Sequence, residues 1–167
     1  WGTKLIESDV ISIDSANKPF KLSTLDGDIY TNALIIATGA SANRLGIINE
    51  EIYWSKGISA CAICDGATPQ FREAELAVVG GGDSACEEAV YLTKYGSKVH
   101  LVVRSEKLRA SAAMIDRVKA NEKILIHWNT SVVEAKGGDW LEKIQIINKD
   151  NKQGEIDIKG LFYAIGH

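Results

Sequence analysis

Residues 76–85 read Leu76-Ala77-Val78-Val79-Gly80-Gly81-Gly82-Asp83-Ser84-Ala85, a short apolar run followed by a glycine turn. The spacing Gly80-x-Gly82-x-x-Ala85 matches the fingerprint of a dinucleotide-binding turn, which accepts alanine in its last place. Gly80 permits a tight turn, Gly82 leaves room for a pyrophosphate against the backbone, and Ala85 lets the next helix lie close to the sheet. Free N–H groups at the start of that helix favour an anion. We predict a dinucleotide site, against the alternative of a turn that binds nothing; the other candidate binding residues of the loop are Gly81, Asp83 and Ser84.

The residues after this turn alternate between helix and strand patterns. We predict a helix over 83–95, ended by Gly96, and then a strand at 98–104, a helix at 108–119 and a strand at 124–128. Strand, helix and strand within about thirty residues form a βαβ unit, which builds a parallel sheet. Three further strands, at 132–133, 144–147 and 156–158, suggest a meander, and a buried strand starts at Leu161. The sequence therefore predicts an α/β, Rossmann-like, three-layer domain with a parallel sheet and a β-meander.

The residues before this domain suggest a separate group of strands. Loose alternation over 5–14 and apolar stretches at 20–24 and 29–31 predict three short strands in an antiparallel meander. Residues 33–37, Ala-Leu-Ile-Ile-Ala, are apolar throughout, which predicts a strand covered on both faces. Residues 40–57 show no clear periodicity and are predicted to be a linker.

Arginines stand where an NAD site usually has an acidic residue. About twenty residues after the glycine turn, the chain reads Val103-Arg104-Ser105-Glu106, and Arg109 follows one turn later. An Asp or Glu at this place would bind the ribose hydroxyls of NAD, whereas arginines suit a 2′-phosphate. The sequence thus favours NADP, with Arg104 and Arg109 as ligands; two solvated surface arginines are the alternative.

Residues 61–66 read Cys61-Ala62-Ile63-Cys64-Asp65-Gly66, a candidate redox dithiol. Asp65 could move the proton that thiol–disulfide exchange requires, or it could simply cap the Asp-Gly turn. Two other interpretations of the cysteines are inert packing residues and half of a zinc site. Zinc is disfavoured because a structural site needs four ligands, and the three histidines are not spaced as partners. Cys86, at the start of the predicted helix, is interpreted as a packing residue.

Composition bounds the class of protein. The 167 residues carry a formal net charge of −3 with both signs interspersed, so nucleic acid and acidic membrane surfaces are not expected partners. No apolar run is long enough to cross a bilayer. Three cysteines do not make a secreted disulfide framework, which favours an intracellular, reducing compartment: the cytoplasm, or an organellar stroma or matrix. Because the chain begins and ends abruptly, we expect it to be a piece of a larger protein.

The chain resembles the low-molecular-weight, flavin-dependent thioredoxin reductases of bacteria, fungi and plants. Four motifs carry the resemblance, in the order of that family and spread over the whole chain. They are Ile36-Ala37-Thr38-Gly39-Ala40, Gly57-Ile58-Ser59-Ala60-Cys61-Ala62-Ile63-Cys64-Asp65-Gly66, Val79-Gly80-Gly81-Gly82-Asp83-Ser84-Ala85 and Gly160-Leu161-Phe162-Tyr163-Ala164-Ile165-Gly166-His167.

The resemblance implies an electron path from NADPH to FAD, then to a Cys61–Cys64 disulfide, and then to thioredoxin. It places Cys64 on the flavin side, makes Cys61 the sulfur that exchanges with thioredoxin, and makes Asp65 the general acid/base. The glycine loop would hold the pyrophosphate of NADPH, and Arg104 with Arg109 its 2′-phosphate. Positions near the flavin nucleotide would be Val10, Thr38 and Gly39.

The resemblance also implies a domain organisation. Residues 1–42 would be part of an FAD domain, 43–57 a linker, 58–158 the NADPH domain with the cysteine pair, and 159–167 a return strand to the FAD domain. The family's amino-terminal glycine turn and carboxy-terminal Gly-Asp segment for FAD are absent from the chain. We therefore expect no turnover from the chain alone, and a homodimer for a full-length protein.

Ser105 departs from the family, which usually has a second arginine there. An NADH- or ferredoxin-dependent flavoprotein disulfide reductase, including one that serves a peroxidase, therefore stays an alternative. A module that binds NADP(H) or a partner without catalysis is another, and a zinc-stabilised structural domain is a third.

Overall fold

A computed structural model describes residues 2–167, which divide into two compact units, one up to Ala40 and one from Ser41 to His167. The first unit contains β1 (Val10–Asp14), β2 (Phe20–Thr24) and β3 (Gly27–Thr31). They pair in the order β1-β2-β3, both pairs antiparallel, which confirms the predicted meander. Asp26 and Gly27 turn the chain between β2 and β3, where Gly27 adopts a φ of +131°.

The predicted strand over residues 33–37 was wrong. These residues form no strand, and the side chains of Ile35 and Ile36 are 89% and 70% exposed. A strand buried on both faces needs hydrogen-bonded neighbours and covering layers, and no strand among residues 2–167 pairs with this run. An apolar composition is therefore not sufficient to predict a buried strand, because the described part of this unit provides no neighbouring strand for these residues. The first strand also starts at Val10 rather than at residue 5.

The second unit holds the remaining elements. Along the chain these are α1 (Glu50–Tyr53), β4 (Ile58–Ser59), α2 (Ala62–Asp65), β5 (Glu75–Val79), α3 (Asp83–Leu92), β6 (Lys98–Val103), α4 (Ala112–Lys119), β7 (Ile124–Trp128), β8 (Thr130–Gly137), β9 (Leu141–Asn148), β10 (Gln153–Asp157) and β11 (Gly160–Tyr163). The helix predicted from residue 108 thus begins four residues later, at Ala112.

The centre of the second unit is a parallel sheet in the order β4-β11-β5-β6-β7. Strand β11 lies between β4 and β5 and pairs in parallel with both. Leu161 is opposite Ile58 of β4 on one side and Ala77 of β5 on the other. The strands β5, β6 and β11 are apolar runs because both faces of this sheet are covered.

Helices cover one face of the sheet, and an antiparallel meander covers the other. Leu76, Val78 and Leu101 point to a core shared with Ala89 and Leu92 of α3. The alternate residues Ala77, Val79 and Val102 point to a second core, shared with residues of β8 and β9 that include Val132, Ala135, Leu141 and Ile144. The β8-β9-β10 meander is thus the third layer. The predicted three-layer α/β fold is confirmed.

A polar row crosses the sheet near the start of β5. His100 contacts His127 (Nδ1 to Nε2, 2.9 Å) and Glu75 (Nε2 to Oε2, 2.7 Å), and Lys98 Nζ lies 3.0 Å from Glu75 Oε1. The hydrogen bond from His100, followed by that from Lys98, lowers the pKa of Glu75, whereas burial lowers the pKa of His127. Both histidines are sheet residues, as expected.

Candidate nucleotide and disulfide site

The glycine turn joins β5 to α3 and has no room for a side chain at its first position. Gly80 adopts a φ of +150°, and a Cβ there would lie 2.5 Å from the carbonyl oxygen of Ala164 and 2.7 Å from the Cβ of Ala85. Gly82 is different, because a Cβ there would meet nothing within 4 Å. Gly80 therefore serves the close packing of strand, turn and helix, whereas Gly82 presents bare backbone to open space.

The start of α3 is free on the side of this open space. No side chain caps the helix, whose N-cap residue is Gly82, so its first N–H groups are available to a ligand. The carboxylate of Asp83 turns elsewhere: its Oδ1 accepts the backbone N–H (2.9 Å) and the hydroxyl (2.8 Å) of Ser111. These hydrogen bonds lower the pKa of Asp83 and tie the helix to the segment that precedes α4.

A cavity of about 620 Å³ lies at the carboxyl ends of the parallel strands, in front of the turn. Ligands of open α/β sheets bind at this edge, and the volume is that of an ordinary small-molecule site. Its walls come from four stretches of the second unit: residues 79–84 without Asp83, residues 102–105 with Arg109, residues 130–132, and residues 43–45 with 164–165. Of the candidate loop residues, Gly80, Gly81, Gly82 and Ser84 line the cavity, whereas Asp83 and Ala85 support it.

Arg104 and Arg109 both line the cavity and are both exposed. Neither forms an ion pair with a carboxylate among residues 2–167. The backbone N–H of Arg109 donates to the carbonyl of Gly81 at 2.6 Å, which fixes the arginine loop to the glycine turn. Ser105 uses its hydroxyl within the loop, because Oγ donates to the carbonyl of Lys107 at 2.8 Å. Two uncommitted cations beside an uncapped helix start suit an anionic nucleotide.

The two cysteines of residues 61–66 form a disulfide. They are held by α2, a helix of only four residues, which is too short to show periodicity and was not predicted. Cys61 is its N-cap residue, and the Sγ atom accepts the N–H of Cys64 at 3.2 Å. Cys64 is exposed and Cys61 is half-buried, so both sulfurs are near the surface of the unit.

Asp65 is connected to this pair through a serine that the sequence did not indicate. The Oγ of Ser59 donates to Asp65 Oδ2 at 2.6 Å and accepts the backbone N–H of Cys61 at 3.0 Å. The serine hydroxyl thus links the carboxylate of Asp65 to the backbone of Cys61, one of the two disulfide-bonded residues. Ser59 could not be selected beforehand, because its role depends on the turn that brings β4 back to the start of α2.

Cys86 takes no part in the Cys61–Cys64 disulfide. It is fully buried in the core between helices and sheet, as expected of a packing residue, and burial raises the pKa of its thiol. Among residues 2–167, no three side chains of His, Cys, Asp or Glu are grouped so as to hold a metal ion. Every helix in the same part of the chain is too short or too polar to span a membrane.

The three positions expected near a flavin belong to the first unit. Val10 opens β1, whereas Thr38 and Gly39 follow the apolar run that forms no strand, and all three are exposed. Gly39 has a φ of +78°, and a Cβ there would meet nothing within 4 Å.

Residues 2–167 match the sequence profile of the family described as pyridine nucleotide-disulphide oxidoreductase. The chain belongs to this family. Thioredoxin reductase 1 of Saccharomyces cerevisiae is 54% identical, over 100% of this chain and 54% of that protein. The mitochondrial thioredoxin reductase of Kluyveromyces lactis is 51% identical, over 100% of the chain and 50% of that protein. The predicted resemblance to thioredoxin reductases is confirmed.

The solved structures agree with this assignment. Thioredoxin reductase from Giardia duodenalis superposes with a TM-score of 0.86 at 44% identity, over 99% of this chain and 54% of that one. The chain therefore spans about half the length of the relatives that it matches.

Proposed function

We propose that this chain is the nucleotide- and disulfide-bearing part of a thioredoxin reductase, which passes electrons from NADPH through FAD to Cys61–Cys64 and on to thioredoxin. One observation carries the proposal. The N-terminus of α3 faces a cavity that suits an anion. The side of the same helix packs against α2, the short helix that holds an accessible disulfide. A pure nucleotide-binding module has no need of the second feature, and a structural disulfide has no need of the first.

The residues around the cavity fit NADPH. The bare backbone at Gly82 and the N–H groups that start α3 would hold the pyrophosphate, and Arg104 with Arg109 would hold the 2′-phosphate. When bound, NADPH and FAD supply the electron pair that the disulfide accepts. Asp83 keeps the loop in place through Ser111, and Ala85 allows the helix to approach the turn.

The reduced cysteines would then carry out thiol–disulfide exchange. The Cys61 thiolate attacks one sulfur of the thioredoxin disulfide, a mixed disulfide forms, and the other thioredoxin sulfur leaves as a thiolate. The Cys64 thiolate next attacks Cys61 Sγ, which releases the second thioredoxin thiolate and restores the Cys61–Cys64 disulfide. Two electrons thus pass to thioredoxin, and its two thiolates take up two protons. Asp65, held by Ser59, is placed to move one of these protons.

The remaining assignments belong to the same proposal. Residues 1–42 would contribute to an FAD domain through Val10, Thr38 and Gly39, residues 43–57 would link it to the NADPH domain at 58–158, and residues 159–167 would lead back. The division of the chain next to Ala40 supports the first of these boundaries. We further propose a homodimer in the full-length protein and an intracellular, reducing location, since the cysteine pair must cycle between two redox states.

Exchange with thioredoxin can be tested on the chain as it stands. The chain, reduced with dithiothreitol and freed of the reagent, should convert about one equivalent of oxidised thioredoxin to the dithiol, without any added flavin. The C64S variant should instead stop at a covalent adduct, detected by non-reducing electrophoresis and mass spectrometry, because Cys61 then has no resolving partner. The C86S variant is the matched control, since Cys86 is fully buried. No adduct with C64S, or an adduct joined through Cys86, would reject the proposal.

Ser105 favours one second candidate, a reductase that accepts NADH. Its hydroxyl already donates to Lys107, so this position offers no cation to a 2′-phosphate. Arg104 and Arg109 alone must then provide the preference for NADPH.

A further inference from the structure

Glu88 is a carboxylic acid on the side of α3 that packs against the redox helix. Three residues of α3 near Glu88 belong to the same buried cluster as Ala62, which follows Cys61 in the chain. They are Ala85, Ala89 and Leu92. The two helices touch closely, because a Cβ on Gly66, just past α2, would lie 2.6 Å from a methyl group of Leu92. Glu88 therefore lies on the side of α3 that faces α2, close to the backbone of Ala62.

Burial removes the carboxyl group of Glu88 from solvent, and the protein replaces only part of the hydrogen bonding that water would provide. Its Oε2 atom is buried and has no hydrogen-bond partner among residues 2–167. Burial raises the pKa of Glu88 to about 7, and Glu87 adds to the rise, whereas the backbone of Ala62 partly offsets it. An unpartnered buried oxygen is costly, and such groups are uncommon unless they have a task.

Few other charges face this carboxyl group. The elements packed against α3 are α2, α4, β5 and β6, and the last three present apolar residues: Met114, Ile115, Val118, Leu76, Val78, Val99 and Leu101. On α3 itself the acidic neighbours are Glu87 and Asp83, and the α2 side offers Cys61, Cys64 and Asp65. The charged residues of α4, Asp116, Arg117 and Lys119, are exposed, and Glu75, Lys98 and His100 belong to the opposite face of the sheet.

We propose that Glu88 is a positioning residue that sets how readily the Cys61–Cys64 pair forms thiolates, acting through the backbone of Ala62 and through its own charge. The inference rests on the proposed exchange reaction of this pair. Reduction by a dithiol breaks the S–S bond, takes two electrons from the reductant and leaves two sulfur atoms that either keep a charge or take up a proton. A carboxylate beneath Ala62 opposes the charged sulfur, whereas a protonated Glu88 does not. Glu88 thus restrains thiolate formation when it is ionised and permits it when it is neutral.

The test is a rate profile of cysteine alkylation. The chain is reduced with dithiothreitol, desalted without oxygen and treated with iodoacetamide between pH 5.5 and 9, with modification at each cysteine followed by peptide mass spectrometry. Because only the thiolate reacts, the rate reports the thiol pKa. In the native chain the rise of the rate should flatten around pH 7, where Glu88 ionises. In E88Q the flattening should disappear, and the rate at pH 8 should be about threefold to tenfold higher.

The matched control is E87Q, which changes an exposed acid on the same turn of α3. E87Q should keep the flattening and move it only to a somewhat lower pH, because Glu87 contributes to the raised pKa of Glu88. A profile of E88Q that coincides with the native one, or an equal change in E87Q, would overturn the proposal. This assay uses neither thioredoxin nor nucleotide, so its failure is separate from a failure of the exchange reaction.

A second measurement covers the case in which E88Q does not fold. The side-chain carboxyl carbon of Glu88 can be titrated by NMR in the native chain, once oxidised and once reduced. If Glu88 and the thiolates oppose each other, their titrations are coupled, so the Glu88 curve of the reduced chain should be broader and extend to higher pH than that of the oxidised chain. Superimposable curves in the two states would overturn the proposal.

Discussion

Arg104 and Arg109 are the two residues on which we expect the choice of nucleotide to depend. Both line the cavity, and neither is committed to a carboxylate among residues 2–167. A charge-assisted contact to a phosphate is about twice as strong as a neutral hydrogen bond. NAD lacks the 2′-phosphate, so it cannot gain from these contacts.

We therefore expect R104A and R109A each to weaken NADP⁺ binding by about tenfold and to leave NAD⁺ binding within about twofold of the native chain. Isothermal titration calorimetry with both nucleotides measures this difference. R117A, which removes an exposed arginine of α4 outside the cavity, is the control. Equal losses for the two nucleotides would show that the arginines do not bind a 2′-phosphate, and would favour the NADH-accepting alternative.

Residues of short motifs with a fixed spacing were predictable, and residues whose role depends on a contact in the folded chain were not. Gly80, Gly82 and the cysteine pair belong to short motifs whose spacing carries their meaning. Ser59 and Glu88 carry no such signal. Ser59 acquires its role from a hydrogen bond to Asp65, and Glu88 from the packing of α2 on α3. The first contact depends on the conformation of the turn after β4, and the second on the packing of two helices, so residue spacing alone indicates neither.

Among the secondary-structure elements, strands were predicted from apolar composition. This prediction was wrong where an apolar run has no neighbouring strand to pair with. The strands β5 and β6 are apolar and lie inside a sheet, whereas the run at residues 33–37 is equally apolar and pairs with nothing that the structure describes. Boundaries of helices were less certain than their existence, as the start of α4 at Ala112 shows. Periodicity reports which face is apolar, but capping and neighbouring loops decide where a helix begins.

The short helix α1 is attached to the central sheet through one buried carboxylate. Glu50 is 6% exposed, and its Oε1 accepts the hydroxyl of Tyr163 at 2.7 Å and the N–H groups of Leu45 (3.0 Å) and Gly46 (3.2 Å). Burial and this carboxylate raise the pKa of Tyr163. The stretch before β4 is thereby fixed to β11, although its sequence showed no periodicity.

We expect E50A to lower the free energy of unfolding by about 3 kcal/mol, because three donors lose their acceptor in a dry environment. Urea denaturation followed by circular dichroism measures the change. E51A is the matched control: its carboxylate is 80% exposed and, among the described residues, pairs only with Arg44, so the loss should stay below about 1 kcal/mol. A loss in E50A no larger than that in E51A would contradict the role of Glu50 as an anchor.

At the scale of the whole molecule, nearly all of the buried apolar residues belong to the second unit. From residue 2 onward, the first unit contributes a single buried apolar side chain, Leu22, whereas the two core clusters and every residue that lines the cavity lie beyond residue 40. A unit with its own core can fold alone.

We therefore expect a chain of residues 41–167 to fold cooperatively and to bind NADP⁺ with an affinity within about twofold of the 167-residue chain. Thermal unfolding and calorimetry on the two chains measure this. A chain of residues 1–40, made as the control, should show no cooperative transition. Loss of nucleotide binding in residues 41–167 would mean that the first unit supports the cavity.

The position of β11 has a consequence for the order of events in time. This strand lies between β4 and β5, yet the ribosome makes it about 80 residues after β5. At roughly 5–20 residues per second, β4 and β5 wait on the order of 4–16 s for the strand that joins them. During synthesis the growing chain therefore presents two unpaired strand edges, and a neighbouring nascent chain could occupy the gap. The pairing of β11 with both of its neighbours ends this interval.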